Sequence, residues 1–330
     1  MRKRFPIEFF ALLYLLAYMP YVLAVRWLAS VTYPPLGRAL SGLEILPATM
    51  ILSGALTWVF ICLSGWSRDA HHREIWGVSL PWPTRWTVLS GIGTSLLLFT
   101  VPLSFTFAGV SIPFMQLLMR GDVLVIAPLV DLVSGRKVAW YSWVALLLVG
   151  AGLTLTISRR GGLHLPPLAI LTVVLYALGY FVRLIVMTKI GKTGDRKTAR
   201  GYFVEEKMVA IPLATAALAA ISLLGLGPQG SELSFGFVQV WSSSQLGAIL
   251  VVSALLVIVS VFSLIILLDP RENTFCVPIE RAASVLAGTA AAYILAAMSF
   301  GTPPSSAELS GAILLTAAIG VLAIGPRLHR

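Results

Sequence analysis

Four charged residues stand inside long apolar runs and set the chemical question: Arg120 and Asp122 in one run, Glu280 and Arg281 in another. A charge at the centre of a bilayer costs about 2.5–3.5 kcal/mol on insertion scales, so each needs a partner or a wet cavity. Arg120 lies about nine residues into its run and Arg281 about eight into its own, near half depth and too far from a head group for easy snorkelling. Their guanidinium groups offer forked donors suited to carboxylate or phosphate, which lysine reproduces poorly. The four charges sum to zero, so two readings stand side by side. In one, Arg120 pairs with Glu280, or Arg281 with Asp122, and the pair braces two helices. In the other, at least one arginine faces a cavity and meets a solute. Arg120 and Asp122 are two apart, point to different sides of a helix and are not expected to pair, whereas Gln116 shares the face of Arg120 and can hydrogen-bond a solute or a neighbouring helix.

Aromatic residues recur on the same terms. Tyr14, Tyr18 and Tyr21 follow helical spacing along one face of the first apolar run. Interfacial belts lie at the membrane surfaces, so tyrosines at mid-depth point to a stripe facing protein or a cavity. Tyr176 and Tyr180 form a shorter stripe of the same kind. Asp131, Arg183, Glu205, Glu206 and Lys207 fall within two turns of predicted helix ends, where snorkelling or capping accounts for a charge, and the same discount covers Arg26 and Glu44.

Enzyme chemistry finds no constellation. His71, His72, His164 and His329 fall in loops or at the C-terminus, without metal-ligand spacing, and Cys62 and Cys276 lie inside apolar runs. Gly191-Lys192-Thr193 lacks the glycine spacing of a P-loop. The expectation is no catalytic residue, no metal and no cofactor.

The elements that must position these residues are membrane helices. The chain has 330 residues, 58% hydrophobic and 12% charged, far from the roughly 25% charge of a soluble domain. The start, Met-Arg-Lys-Arg before an apolar stretch, resembles a signal-peptide start, but the stretch is long enough to span and is kept as the first helix. Apolar runs predict about ten spans at 5–28, 42–65, 86–108, 111–132, 138–157, 166–188, 202–226, 245–268, 273–298 and 308–325. Prolines at 102, 113, 128, 212 and 278 predict kinks. Sixteen of the 24 Lys and Arg fall on the side of the N-terminus, three (Arg38, Arg159 and Arg160) on the other, and five within spans. The positive-inside rule then puts both termini in the cytoplasm of a multi-pass protein of the cell (inner) membrane. The net charge of +10 is topological, with basic loops near lipid head groups, and excludes a nucleic-acid surface.

The basic segment 189–201 divides the chain into a first half, 1–188, and a second, 202–330. The halves share a pattern: Gln116-Leu-Leu-Met-Arg120-Gly-Asp122-Val-Leu followed by Trp143 to Gly152, and Val277-Pro-Ile-Glu280-Arg281-Ala-Ala-Ser-Val-Leu followed by Gly311 to Gly320. Arg120 precedes Gly152 by 32 residues and Arg281 precedes Gly320 by 39, so the second copy carries a longer loop. Five helices per half make the second run in the opposite sense, the inverted repeat of many secondary transporters.

On these residues the chain resembles the drug/metabolite transporter superfamily, in particular its EamA-like and nucleotide-sugar-transporter-like ten-helix members. The resemblance implies an all-α polytopic fold of two inverted five-helix repeats, and a carrier cavity lined partly by the fourth and ninth helices. Gly135-Arg136-Lys137 stands where many EamA-like halves carry Gly-Glu and is closer to the basic version of sugar-nucleotide carriers. Glu8, the only acid of the first run, lies near its start, which disfavours proton-coupled drug antiport. The expected function is alternating-access transport of a small polar, possibly anionic metabolite. Arg120, Arg281, Gln116, Asp122, Glu280, Tyr14, Tyr18 and Tyr180 are the candidate contacts. A lipid flippase and a membrane-embedded enzyme acting on a lipid-linked substrate are the alternatives.

Overall fold

A computed structural model describes residues 7–75, 77–107, 110–121, 123–133, 135, 140–159, 165–225, 227–271, 273–301 and 303–328. Within them run helices α1 (Ile7–Leu28), α2 (Gly42–Ser64), α3 (Arg85–Ser104), α4 (Ile112–Arg120), α5 (Val123–Val133), α6 (Trp140–Arg159) and α7 (Pro167–Val186). They continue with α8 (Arg196–Leu223), α9 (Gly227–Val238), α10 (Leu246–Leu267), α11 (Asn273–Ala297) and α12 (Ser306–Leu328). Two short antiparallel hairpins interrupt them, β1 (Thr32–Tyr33) with β2 (Arg38–Ala39) and β3 (His72–Ile75) with β4 (Val78–Pro81).

Seven helices among the described residues are long and apolar enough to cross a membrane: α1, α2, α3, α7 with its continuation to Gly191, α8, α10 and α11. The architecture is that of an all-α polytopic membrane protein, in which lipid forces each spanning segment to satisfy its own backbone. Shorter apolar stretches lie within α6 and α12.

Local sequence sets the helix ends. Ser41 and Glu44 close a capping box on α2, and Gly65 ends that helix in the left-handed region at φ 68°. Thr84 and Thr87 do the same for α3. Asp195 caps α8 by accepting from the Thr198 N–H at 2.9 Å, and this bond and the Thr198 hydroxyl hold its carboxyl below the usual carboxylate range. The predicted span 111–132 is divided: α4 ends at Arg120, with the Gly121 N–H closing on the Leu117 carbonyl at 2.8 Å, and α5 begins at Val123. Pro113 sits in the first turn of α4, where its missing N–H leaves no bond unmade, so it starts a helix instead of kinking one.

The chain divides into two compact units, each drawing segments from both sides of the basic segment. Unit 1 comprises 1–23, 108–173 and 259–330, and unit 2 comprises 24–107 and 174–258. In unit 1, α6 lies along α12, and α11 packs on α4, α5 and α12, around Leu117, Ala145, Val285, Ala312, Leu315 and Ala318. In unit 2, α3 packs on α8, and α2 on α8 and α9. There Gly93 of α3 meets Gly179 of α7 so closely that a Cβ on Gly93 would lie 2.6 Å from the Gly179 carbonyl oxygen.

Candidate functional site

In unit 1, α1 settles which way its tyrosines look. Tyr14 and Tyr18 are 1% exposed, while Leu12 and Leu16 between and beside them are 53% and 52% exposed. The leucines form the outward apolar stripe and the tyrosines face protein, as a 3.6-residue period requires.

That inward face gathers the charged residues of α4 and α11. Arg120 Nη2 donates to the Tyr18 hydroxyl at 2.8 Å. The Tyr14 hydroxyl donates to Glu280 Oε1 at 2.9 Å, and Ser263 of α10 donates to the same oxygen at 3.1 Å. The two tyrosine rings lie 5.3 Å apart, so α1 links the α4 arginine to the α11 carboxylate through two hydroxyls. Arg281 Nε lies 3.6 Å from Glu280 Oε2, within ion-pair range, yet that oxygen accepts no hydrogen bond. The direct Arg120–Glu280 pair of the bracing reading is not formed: among the described residues Glu280 is held by Tyr14, Ser263 and Arg281. Asp122 lies outside the described residues.

Gln116 is the second feature of this cluster. It is 1% exposed, and neither its amide nitrogen nor its amide oxygen has a hydrogen-bond partner among the described residues. It packs over Gly288 of α11, where any Cβ would collide with the amide. A buried amide left unpaired costs about 1–3 kcal/mol. Arg120 is the last residue of α4, where the negative end of the helix dipole favours its charge.

Tyr180, the remaining candidate, belongs to unit 2 and stacks on Tyr176, ring centroids 6.0 Å apart and planes 15° apart. Unit 2 also holds a network that the discount for charges near helix ends had set aside. Arg183 of α7 and Glu206 of α8 are both buried and meet through two hydrogen bonds, Nε to Oε1 at 2.9 Å and Nη2 to Oε2 at 3.2 Å. Ser90 and Thr94, one turn apart on α3, donate to Glu206 Oε1 at 2.8 Å each, and Tyr202 does so at 2.9 Å. Glu205, equally buried, accepts from His71, Thr84 and Thr87. Arg183 and Glu206 do not snorkel but are interior, while Glu205 caps the first turn of α3, as a charge near helix ends can. Their signal in the sequence was three consecutive charges, Glu205-Glu206-Lys207, with a tyrosine one turn before Glu206. Arg26, discounted on the same ground, donates to the carbonyls of Phe105 and Phe107 just beyond the end of α3.

Among the described residues no three of His, Cys, Asp and Glu gather as a metal site. No family model matches the chain, and no curated protein does. A solved crystal structure, described only as that of a protein, matches over 98% of this chain and 99% of its own, with a TM-score of 0.56 and 17% identity. That likeness is one of fold.

Proposed function

We propose that the chain is a secondary carrier which moves a small polar, possibly anionic metabolite by alternating access, with its solute contacts in the Arg120–Tyr18–Tyr14–Glu280–Arg281 cluster of unit 1. The observation that carries this reading is the incomplete satisfaction of that cluster. Within the packed helices of unit 1, a carboxylate oxygen on α11 and a whole amide side chain on α4 are buried without hydrogen bonds. Structural networks close on themselves, and intramembrane charges that do not are functional by default.

The remaining parts of the proposal come from the sequence: ten spans in two inverted five-helix repeats, EamA-like or nucleotide-sugar-transporter-like ancestry, and both termini on the cytoplasmic side of the cell membrane. The residues have no catalytic role in this reading, and no cofactor is required.

Two experiments test it. Purified protein is screened for ligand-induced thermal stabilisation against nucleotide sugars, sugar phosphates, amino acids and cationic drugs, where a ligand at 100 times its dissociation constant contributes about 2.7 kcal/mol. Flux of the stabilising solute is then measured in sealed proteoliposomes. Uptake that is lost on substituting Arg281 by lysine supports the reading. Substrate turnover by detergent-solubilised protein, or lipid scrambling without solute flux, overturns it.

A further inference from the structure

Lys207 lies on α8, next to Glu206 and two residues from Glu205, and is 3% exposed. Two carboxylates are thus its neighbours in sequence, and neither accepts a hydrogen bond from it. Glu206 Oε1 receives Ser90, Thr94, Tyr202 and Arg183 at 2.8–2.9 Å, and Oε2 receives Arg183 again at 3.2 Å. Glu205 Oε1 receives the His71 N–H at 2.9 Å, and Oε2 receives the Thr87 hydroxyl at 2.8 Å and the Thr84 N–H at 3.2 Å.

What is left for Lys207 is an aromatic face. Its ammonium rests 5.5 Å from the ring centroid of Phe203, one turn earlier, and that ring is held edge-on by Trp66, 5.6 Å away. Among the described residues the ammonium makes no hydrogen bond and no ion pair. Arg183 and Glu206 pair with each other, and Glu205 is taken up by His71, Thr84 and Thr87, so Lys207 is the charge of the network left without a hydrogen-bonded partner among the described residues. A buried cation without an acceptor is strongly unfavourable unless an anion meets it.

We propose that Lys207 is an anion-binding group of unit 2 that receives the carboxylate or phosphate of a small anionic ligand. Arg183 is held by both of its bonds to Glu206, so recognition falls on one three-donor ammonium, a point charge suited to a single oxyanion and not to forked recognition. Phe203 keeps the ammonium in place by a cation–π contact that an arriving oxyanion supplements. This site uses none of the residues assigned to solute in unit 1, and it stands whether or not that cluster binds solute.

The test uses the full chain in lipid-free detergent at matched ionic strength, with chloride as reference and inorganic phosphate, succinate or short-chain phosphatidylglycerol as probes. Saturating probe raises the wild-type Tm by about 5 °C. Lys207→Met folds, melts no lower than wild type in chloride, and keeps less than half of the probe-induced shift. A shift with phosphate or succinate assigns the site to a free solute; a shift with the lipid alone assigns it to a head group, and either supports the site. A check needs no substitution: phosphate or the lipid slows reductive methylation of Lys207, read by mass spectrometry, while Lys197 reacts unchanged. Absence of any wild-type shift, equal shifts in wild type and Lys207→Met, a lower Tm for Lys207→Met in chloride, or unprotected Lys207 overturns the proposal.

Discussion

Arg183 and Glu206 form a buried, two-bonded ion pair in unit 2, Nε to Oε1 at 2.9 Å and Nη2 to Oε2 at 3.2 Å. Every hydrogen bond that Glu206 accepts comes from unit 2 itself, from α3, α7 and α8, so the pair ties three helices together. Removing one member of such a pair leaves a buried charge. Arg183→Met or Glu206→Met alone is expected to destabilise by about 3–5 kcal/mol, and the two substitutions together to recover much of that loss. Denaturation midpoints of the four proteins in mild detergent measure the coupling; strictly additive losses would show that the two side chains do not depend on each other.

The error over this pair shows where sequence reasoning runs out. The predicted span began at 202, which put Glu206 within the first turns. The helix begins at Arg196 because Asp195 caps it, so Glu206 lies ten residues in, about 15 Å along the axis. Hydropathy locates apolar stretches, and a helix extends past them wherever a cap and a packing partner exist. The same limit explains α9, whose Gly-Pro-Gln-Gly-Ser-Glu-Leu-Ser start reads as a loop but packs Gly236 on the backbone of α2 at Glu44. It explains the division of 111–132 as well, since nothing in Arg120-Gly121-Asp122 outweighs the apolar residues on either side. The tyrosine stripe of α1 was legible because a 3.6-residue period needs no knowledge of partners. Which charge each tyrosine meets was not, because that depends on the rotation of α4 and α11 around their own axes.

The hydroxyls of Tyr14 and Tyr18 reach a carboxylate and a guanidinium respectively. Tyr14→Phe and Tyr18→Phe keep ring packing and remove one hydrogen bond to a charged group, an expected loss of about 1.5–3 kcal/mol each. Solute uptake falls further in Tyr14→Phe, because Glu280 then keeps Ser263 as its one hydrogen-bond donor among the described residues. Thermal stability and proteoliposome flux, scored separately, check this. Wild-type stability in both variants would contradict it.

Gly93→Ala is expected to destabilise unit 2 by about 1–3 kcal/mol, because the added methyl meets the backbone of α7 and the helices must move apart. Gly150→Ala on α6 is the control: nothing lies within 4 Å of its added Cβ, so better helix propensity leaves stability equal or up by about 1 kcal/mol. Equal melting of the two variants would remove the argument for close backbone approach.

Thr193, exposed in the segment between α7 and α8, reports topology. If the ten spans predicted from the sequence hold, they put sixteen basic residues on one side against three on the other, and a cysteine placed there is expected to resist an impermeant thiol reagent in intact cells and to react after permeabilisation. Labelling in intact cells would reverse the orientation.

Gln116 separates stability from function most sharply. Its amide is buried and unpaired, so the folded protein gains nothing from its polarity and bears the desolvation cost. Gln116→Leu, close in volume, is therefore expected to leave stability unchanged or to raise it by about 1 kcal/mol. If the amide hydrogen-bonds solute during transport, the same variant loses uptake by about tenfold, the equivalent of one hydrogen bond of about 1.4 kcal/mol. Gly288→Ala probes the same atoms from the other side. Its methyl occupies the space of the Gln116 amide, so it lowers uptake by displacing that group, and in the Gln116→Leu background it has little further effect on uptake. A stable Gln116→Leu protein with wild-type uptake would mean that the unpaired amide takes no part in solute contact, and the assignment of this face of α4 would fall with it.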